Sequence, residues 1–80
     1  MFTVYILYSE KYSIHYVGYT SNLNERLKSH NELGTKGFTI KYRPWKLIYS
    51  EELQTKSEAM KREKYFKSGV GREFFKSIPH

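Results

Sequence analysis

The sequence predicts an α/β domain: a small, three-stranded, mainly antiparallel sheet flanked by helices. Three observations predict it. Phe2 to Ser9, FTVYILYS, is dense in aromatic and β-branched residues, the composition of a strand. The stretch from Ile14 to Leu33 changes from a two-residue alternation to a helical repeat. Thr55-Lys56-Ser57-Glu58 has the pattern of a capping box, which marks a helix start.

The elements follow in order. Glu10-Lys11-Tyr12-Ser13 is a polar connection of hairpin length after the first strand. The second strand runs from Ile14 to about Tyr19, with Ile14, Tyr16 and Gly18 on one face and His15, Val17 and Tyr19 on the other. Pairing residue 7 with 16 and 5 with 18 puts Tyr5 opposite Gly18, on the face that carries Tyr16. Thr20-Ser21-Asn22 then offers an N-cap, and Asn22 with Glu25 forms a loose capping box. This helix is expected to end near Leu33, where Gly34 supplies a left-handed cap. Gly34 to Pro44 reads as a basic loop with room for one helical turn. Trp45 to Glu51, WKLIYSE, is the third strand. The capping box opens a helix to about Ser68, Gly69 stops it, and Gly71 to Ser77 adds a short terminal helix carrying Phe74 and Phe75.

Composition bounds the function. Eighty residues make one domain, residues 1–80, with a small core. The chain has no cysteine, which rules out disulfides and thiolate metal sites and suits the reducing cytoplasm. No run is apolar enough for a membrane span. The formal net charge is +6, spread along the chain, so nucleic acid is the leading partner. All eight acidic residues are Glu, which excludes aspartate-rich two-metal sites and EF-hand loops.

Three positions, in two helices, break the apolar pattern. At a hundred degrees per residue, Arg26 and His30 share the arc of Leu23, Leu27 and Leu33. A cation and an imidazole on the side expected to be buried point to an adjoining pocket that holds an anion. In the last long helix Ala59, Phe66 and Val70 form a stripe, and Glu63 falls in its middle. A buried carboxylate requires a cation, a donor network or a metal ion; a structural ion pair with a neighbouring Arg or Lys meets the same need. Tyrosines taken singly are most often packing residues in strands, and Trp45 at a strand start reads as core.

The order Val4-Tyr5, Tyr16-Val17-Gly18, Arg26, His30 and then Glu63 resembles the GIY-YIG nuclease superfamily. Its small stand-alone members and the N-terminal nuclease module of the bacterial excinuclease are the nearest in pattern. The combination carries the resemblance: YVGYTSNLNERLKSH has the tripeptide, the ten-residue step to Arg and the His one turn later, and SEAMKRE ends on the glutamate. Two features depart from it. Thr3 stands where the first motif often has Gly, and the chain has no Asn beyond Asn31, whereas some family nucleases use one after the glutamate helix.

The resemblance implies a metal-dependent DNA endonuclease, with DNA repair or processing as the setting. It assigns Glu63 to one divalent cation, Mg²⁺ or Mn²⁺, and Arg26 to the non-bridging phosphate oxygens. Tyr5 or Tyr16 would accept the proton from the attacking water, His30 would relay a proton or hold a catalytic tyrosine, and Gly18 would leave room beside both tyrosines. Lys36, Lys41 and Arg43 are the expected contacts to the backbone of duplex or branched DNA. A protein of this size would draw its specificity from a protein partner. The contrasting expectations are a non-catalytic nucleic-acid-binding module of the same fold and a structural domain that docks on another protein.

Overall fold

The computed structural model describes residues 1–28, 31 and 38–79. Three strands form one sheet in the order β2-β1-β3. They are β1 (Phe2–Ser9), β2 (Ile14–Thr20) and β3 (Lys46–Leu53). Both neighbours run antiparallel to β1, and the β1–β2 register pairs Tyr5 with Gly18 and Leu7 with Tyr16. The polar hairpin at residues 10–13 therefore sets the expected alignment. The β1–β3 register shifts between Ile6 and Leu7, as a β-bulge does.

The central strand is buried on both faces. Its alternation splits the core in two. Val4 and Ile6 join Val17, Ala59, Phe66, Phe75 and Ile78 on one face. Tyr5 and Leu7 join Trp45 on the other, with Ile14, Tyr16, Leu23, Leu27 and Tyr42 packed around them. A central strand buried on both faces needs apolar side chains on both, and VYIL, Val4 to Leu7, supplies them.

The helices are α1 (Leu23–Lys28), α2 (Phe38–Lys41), α3 (Lys56–Lys67) and α4 (Gly69–Arg72), followed by a 3₁₀-helix over Glu73–Ser77. At the start of α1 the Glu25 N–H donates to Asn22 Oδ1 at 3.2 Å. Thr55 caps α3 in a complete capping box with Glu58. The expected end of the first helix near Leu33 and its Gly34 cap lie outside the described residues. The one helical turn expected in the basic loop is α2.

Three expectations are corrected. The third strand starts one residue late and runs to Leu53, because Trp45 is taken up by the core and by Asn31. The Asn31 side chain accepts from the Trp45 N–H at 2.7 Å and donates to the Trp45 carbonyl at 3.1 Å. Ser68, not Gly69, ends α3: its backbone is extended, its hydroxyl donates to the Tyr65 carbonyl, and it accepts from the Gly71 N–H. Gly71 is buried against the Tyr65 carbonyl, where any Cβ would collide, so this turn requires glycine. Val70 consequently leaves the α3 stripe and is 73% exposed.

Candidate active site

A cleft of about 490 Å³ opens at the edge strand. Tyr5, from β1, and Tyr16 and Gly18, from β2, line it, together with Arg26 of α1 and Glu63 and Lys56 of α3. Segments far apart in sequence thus contribute to one concavity, the usual setting of a binding site.

The strands position the tyrosines. Because Tyr5 pairs with Gly18 on adjacent strands, the Tyr5 ring lies across the glycine. A Cβ on Gly18 would stand 2.5 Å from the Tyr5 hydroxyl, 2.7 Å from its Cζ and 3.2 Å from Tyr16 Cε1. The glycine is therefore required by close approach. The Tyr5 and Tyr16 rings are 6.4 Å apart, and Tyr16 leans on Trp45 at 6.1 Å. The chain Asn31–Trp45–Tyr16 holds the second tyrosine from behind.

Tyr5 is 1% exposed. Burial, and after it the Tyr16 phenol, push the Tyr5 pKa far above the ordinary tyrosine value. Arg26 pulls it back and Glu63 pushes it further, so both charges act on the Tyr5 hydroxyl. A phenol is already neutral at physiological pH, and burial disfavours the Tyr5 phenolate further. Tyr16 is half-buried and reaches the cleft.

Two site residues are less buried than their helical positions imply. Arg26 is exposed, and α1 buries none of its described residues, although Leu23 and Leu27 pack against the Tyr5 cluster. The helix lies at the margin of the sheet, so its apolar arc meets the core only partly. Glu63 is half-buried and pairs with Lys67 one turn along α3 at 3.5 Å, with the glutamate side chain 23% exposed. Only Ala59 and Phe66 of that helix are buried. The carboxylate is therefore not stranded in the core; it sits at the core boundary, where it borders the cleft.

His30 and Lys36 lie outside the described residues. Lys41 is exposed beside the Tyr42 ring, and Arg43 is half-buried; neither lines the cleft. Two residues of the site were missed from the sequence. Lys56 lines the cleft seven residues before Glu63, a spacing that alone places them on one helix face. Asn31 supports Trp45, and nothing in the local pattern marks that long-range bond.

The donor set bears on metal binding. Among the described residues no group of three His, Cys, Asp or Glu side chains converges. Glu63 offers one carboxylate in an open, water-accessible cleft. A hard cation that keeps most of its waters, held by one carboxylate and by substrate phosphate oxygens, fits that set.

Residues 1–75 match the family described as "GIY-YIG catalytic domain". The UPF0213 protein YazA of Bacillus subtilis is 46% identical over 52 residues, 65% of this chain and 52% of that protein. A UPF0213 protein of Limosilactobacillus reuteri is 40% identical over 72 residues, 88% of this chain and 74% of the relative. One from Staphylococcus haemolyticus is 37% identical over 75 residues, covering 94% and 90%. The match spans about half the length of the Bacillus relatives. No solved structure matches the chain. The motif tyrosines, the glycine between them and the cleft they share with Arg26 and Glu63 agree with the family match: the chain belongs to the GIY-YIG family, among its small UPF0213 members.

Proposed function

We propose that this chain is a metal-dependent DNA endonuclease that hydrolyses phosphodiester bonds in the cleft between β2, α1 and α3. GIY-YIG nucleases act on DNA and generally use a divalent metal. The observation that carries the reading is the shared cleft. It joins a guanidinium, a carboxylate and two phenols from four separate elements.

Each side chain suits one requirement of the reaction. Arg26 binds the non-bridging phosphate oxygens as a planar fork and offsets the charge that grows there. Glu63 would hold one divalent cation, Mg²⁺ or Mn²⁺, whose chemistry is charge neutralisation and activation of water. Tyr5, whose phenolate burial disfavours, donates a hydrogen bond and orients water or phosphate. Tyr16, at the cleft surface, would accept the proton from the attacking water as its phenolate, a form that the positive charge of Arg26 and of a bound cation would favour. Gly18 keeps the phenols close enough to act together. Residues 1–80 act as one domain, in the cytoplasm, on duplex or branched DNA during repair or processing. A protein partner supplies specificity that so small a surface lacks.

Plasmid nicking with Mg²⁺ and with Mn²⁺ tests the reading. Arg26→Ala and Glu63→Gln are each expected to lower the rate by about 10²-fold or more. Their melting temperatures should stay close to the parent's, because Arg26 is exposed and Glu63 sits at the core boundary, paired with an exposed Lys67. Nicking at the parent rate by either variant would overturn these roles. A parent protein that binds DNA but never cuts it would establish the non-catalytic binding module instead.

A further inference from the structure

Lys56 is the charged side chain of the cleft to which the reaction gives no task. Its position is unfavourable on local grounds. It is the first residue of α3, directly after the cap Thr55. The unpaired N–H groups there make the helix end positive, so a cation is repelled. No carboxylate among the described residues forms an ion pair with it. Glu58, in the same turn, is bound to Thr55 through the backbone N–H at 3.2 Å and the hydroxyl at 3.0 Å. Glu63 pairs with Lys67, and the remaining ion pairs among the described residues are Arg62–Glu51 and Lys76–Glu73. Lys56 is exposed and joins none of them.

Its direction is nevertheless defined. Seven residues of α-helix turn through nearly two full turns, so Lys56 and Glu63 share a face within about 20° and stand about 10.5 Å apart along the axis. Both line the cleft, with Arg26 on the opposing element. A phosphate engaged by Arg26 beside Glu63 therefore leaves Lys56 further along the same wall, over the path of the strand that carries that phosphate.

We propose that Lys56 binds the backbone phosphate adjacent to the one held by Arg26, and so sets the register of the substrate strand along α3. The inference rests on the nuclease reading above. The side-chain types suit the division. Arg presents a rigid fork to the reacting phosphate, and Lys presents a compact, mobile charge to one that does not react. An unpaired cation at a positive helix end lowers stability, and an anionic ligand reverses that penalty. Binding and stability should therefore respond to its removal in opposite directions.

The test compares the full chain with Lys56→Gln, Lys56→Glu and Lys56→Arg. Affinity for a fluorescein-labelled DNA duplex is read by anisotropy over a series of salt concentrations without added metal, and melting is followed by circular dichroism. Lys56→Gln should bind several-fold more weakly and lose about one unit from the slope of log K against log salt. Lys56→Glu should bind more weakly still, and Lys56→Arg should bind like the parent. The Gln and Glu variants should melt at or above the parent temperature. A Lys56→Gln protein with unchanged affinity and slope, beside a parent that binds, overturns this role and leaves the nuclease reading intact. A variant that melts earlier in step with its loss of binding overturns it in favour of a structural role. A folded parent without affinity for DNA overturns both readings.

Discussion

Gly18 controls the spacing of the two phenols. Its missing side chain is filled by the Tyr5 hydroxyl and the edge of Tyr16. Tyr5 cannot swing aside, since its ring is buried beside Leu7 and Trp45. Gly18→Ala therefore forces the Tyr5 ring or the strand to move. The expected outcome is a loss of about 1–3 kcal/mol from overpacking, with cleavage reduced far more than unfolding of the population explains. Denaturant melts beside nicking rates measure both quantities. An alanine variant of parent activity would show that the phenol spacing does not matter to the reaction.

At the scale of the element, α3 both carries Glu63 and depends on β3 for its position. Arg62 Nε donates to Glu51 Oε2 at 2.7 Å, and the Tyr49 hydroxyl donates to Glu51 Oε1 at 2.6 Å. The Arg62 guanidinium lies 4.6 Å from the centroid of Phe66, a fully buried residue. For Glu51, burial pushes its pKa up, but the hydrogen bonds from Arg62 and Tyr49 outweigh burial and hold it below the ordinary glutamate value. A carboxyl group whose folded pKa is depressed adds stability above its unfolded pKa. That stability is lost as pH falls through the folded value. The melting temperature should thus decline from about pH 5 downward. In Glu51→Gln the decline should be shallower. With Arg62 39% exposed, the pair contributes only about 0.5–1 kcal/mol at neutral pH, or a few degrees of melting temperature. Circular dichroism melts of both proteins between pH 3 and pH 7, on the order of the range that carboxyl titration spans, check it. Parallel curves would remove Glu51 as a source of acid sensitivity.

The whole molecule is small, with a radius of gyration of 12.2 Å, and carries a formal charge of +6. No helix among the described residues is long and apolar enough to cross a membrane. A positive surface of this size attracts a polyanion by releasing its condensed counterions. DNA affinity should therefore fall linearly in log K against log salt, with a slope of several units if several phosphates are contacted. Lys41 is exposed near the hairpin, where Tyr12 packs edge-on against Tyr42 at 5.2 Å. Because Lys41 stands outside the cleft, Lys41→Gln should change this slope without changing the cutting rate at saturating DNA. A titration with no salt slope would show that backbone charge does not drive binding.

Three strands and their order along the chain, the hairpin register, the capped helix and the family were legible in the sequence, though not the ends of β3. These rest on local chemistry: β-branched and aromatic runs, a turn of set length, a Thr–Glu reciprocal cap and a motif of fixed spacing. The sequence also singled out Tyr5, Tyr16, Gly18, Arg26 and Glu63, all of which line one cleft. Tertiary structure alone decided how deep each of them sits. Periodicity gives the angle of a side chain around its helix but not the distance of that helix from the core. Arg26 is exposed for that reason, and Glu63 is half-buried rather than enclosed. The same limit hid Val70, which shares the angle of Ala59 and Phe66 until Ser68 breaks the helix between them. The Asn31–Trp45 clamp and the entry of Lys56 into the cleft were likewise invisible, because they depend on which elements pack together across the sheet. Local pattern fixes a residue's direction; only the packing of distant segments decides what it meets there.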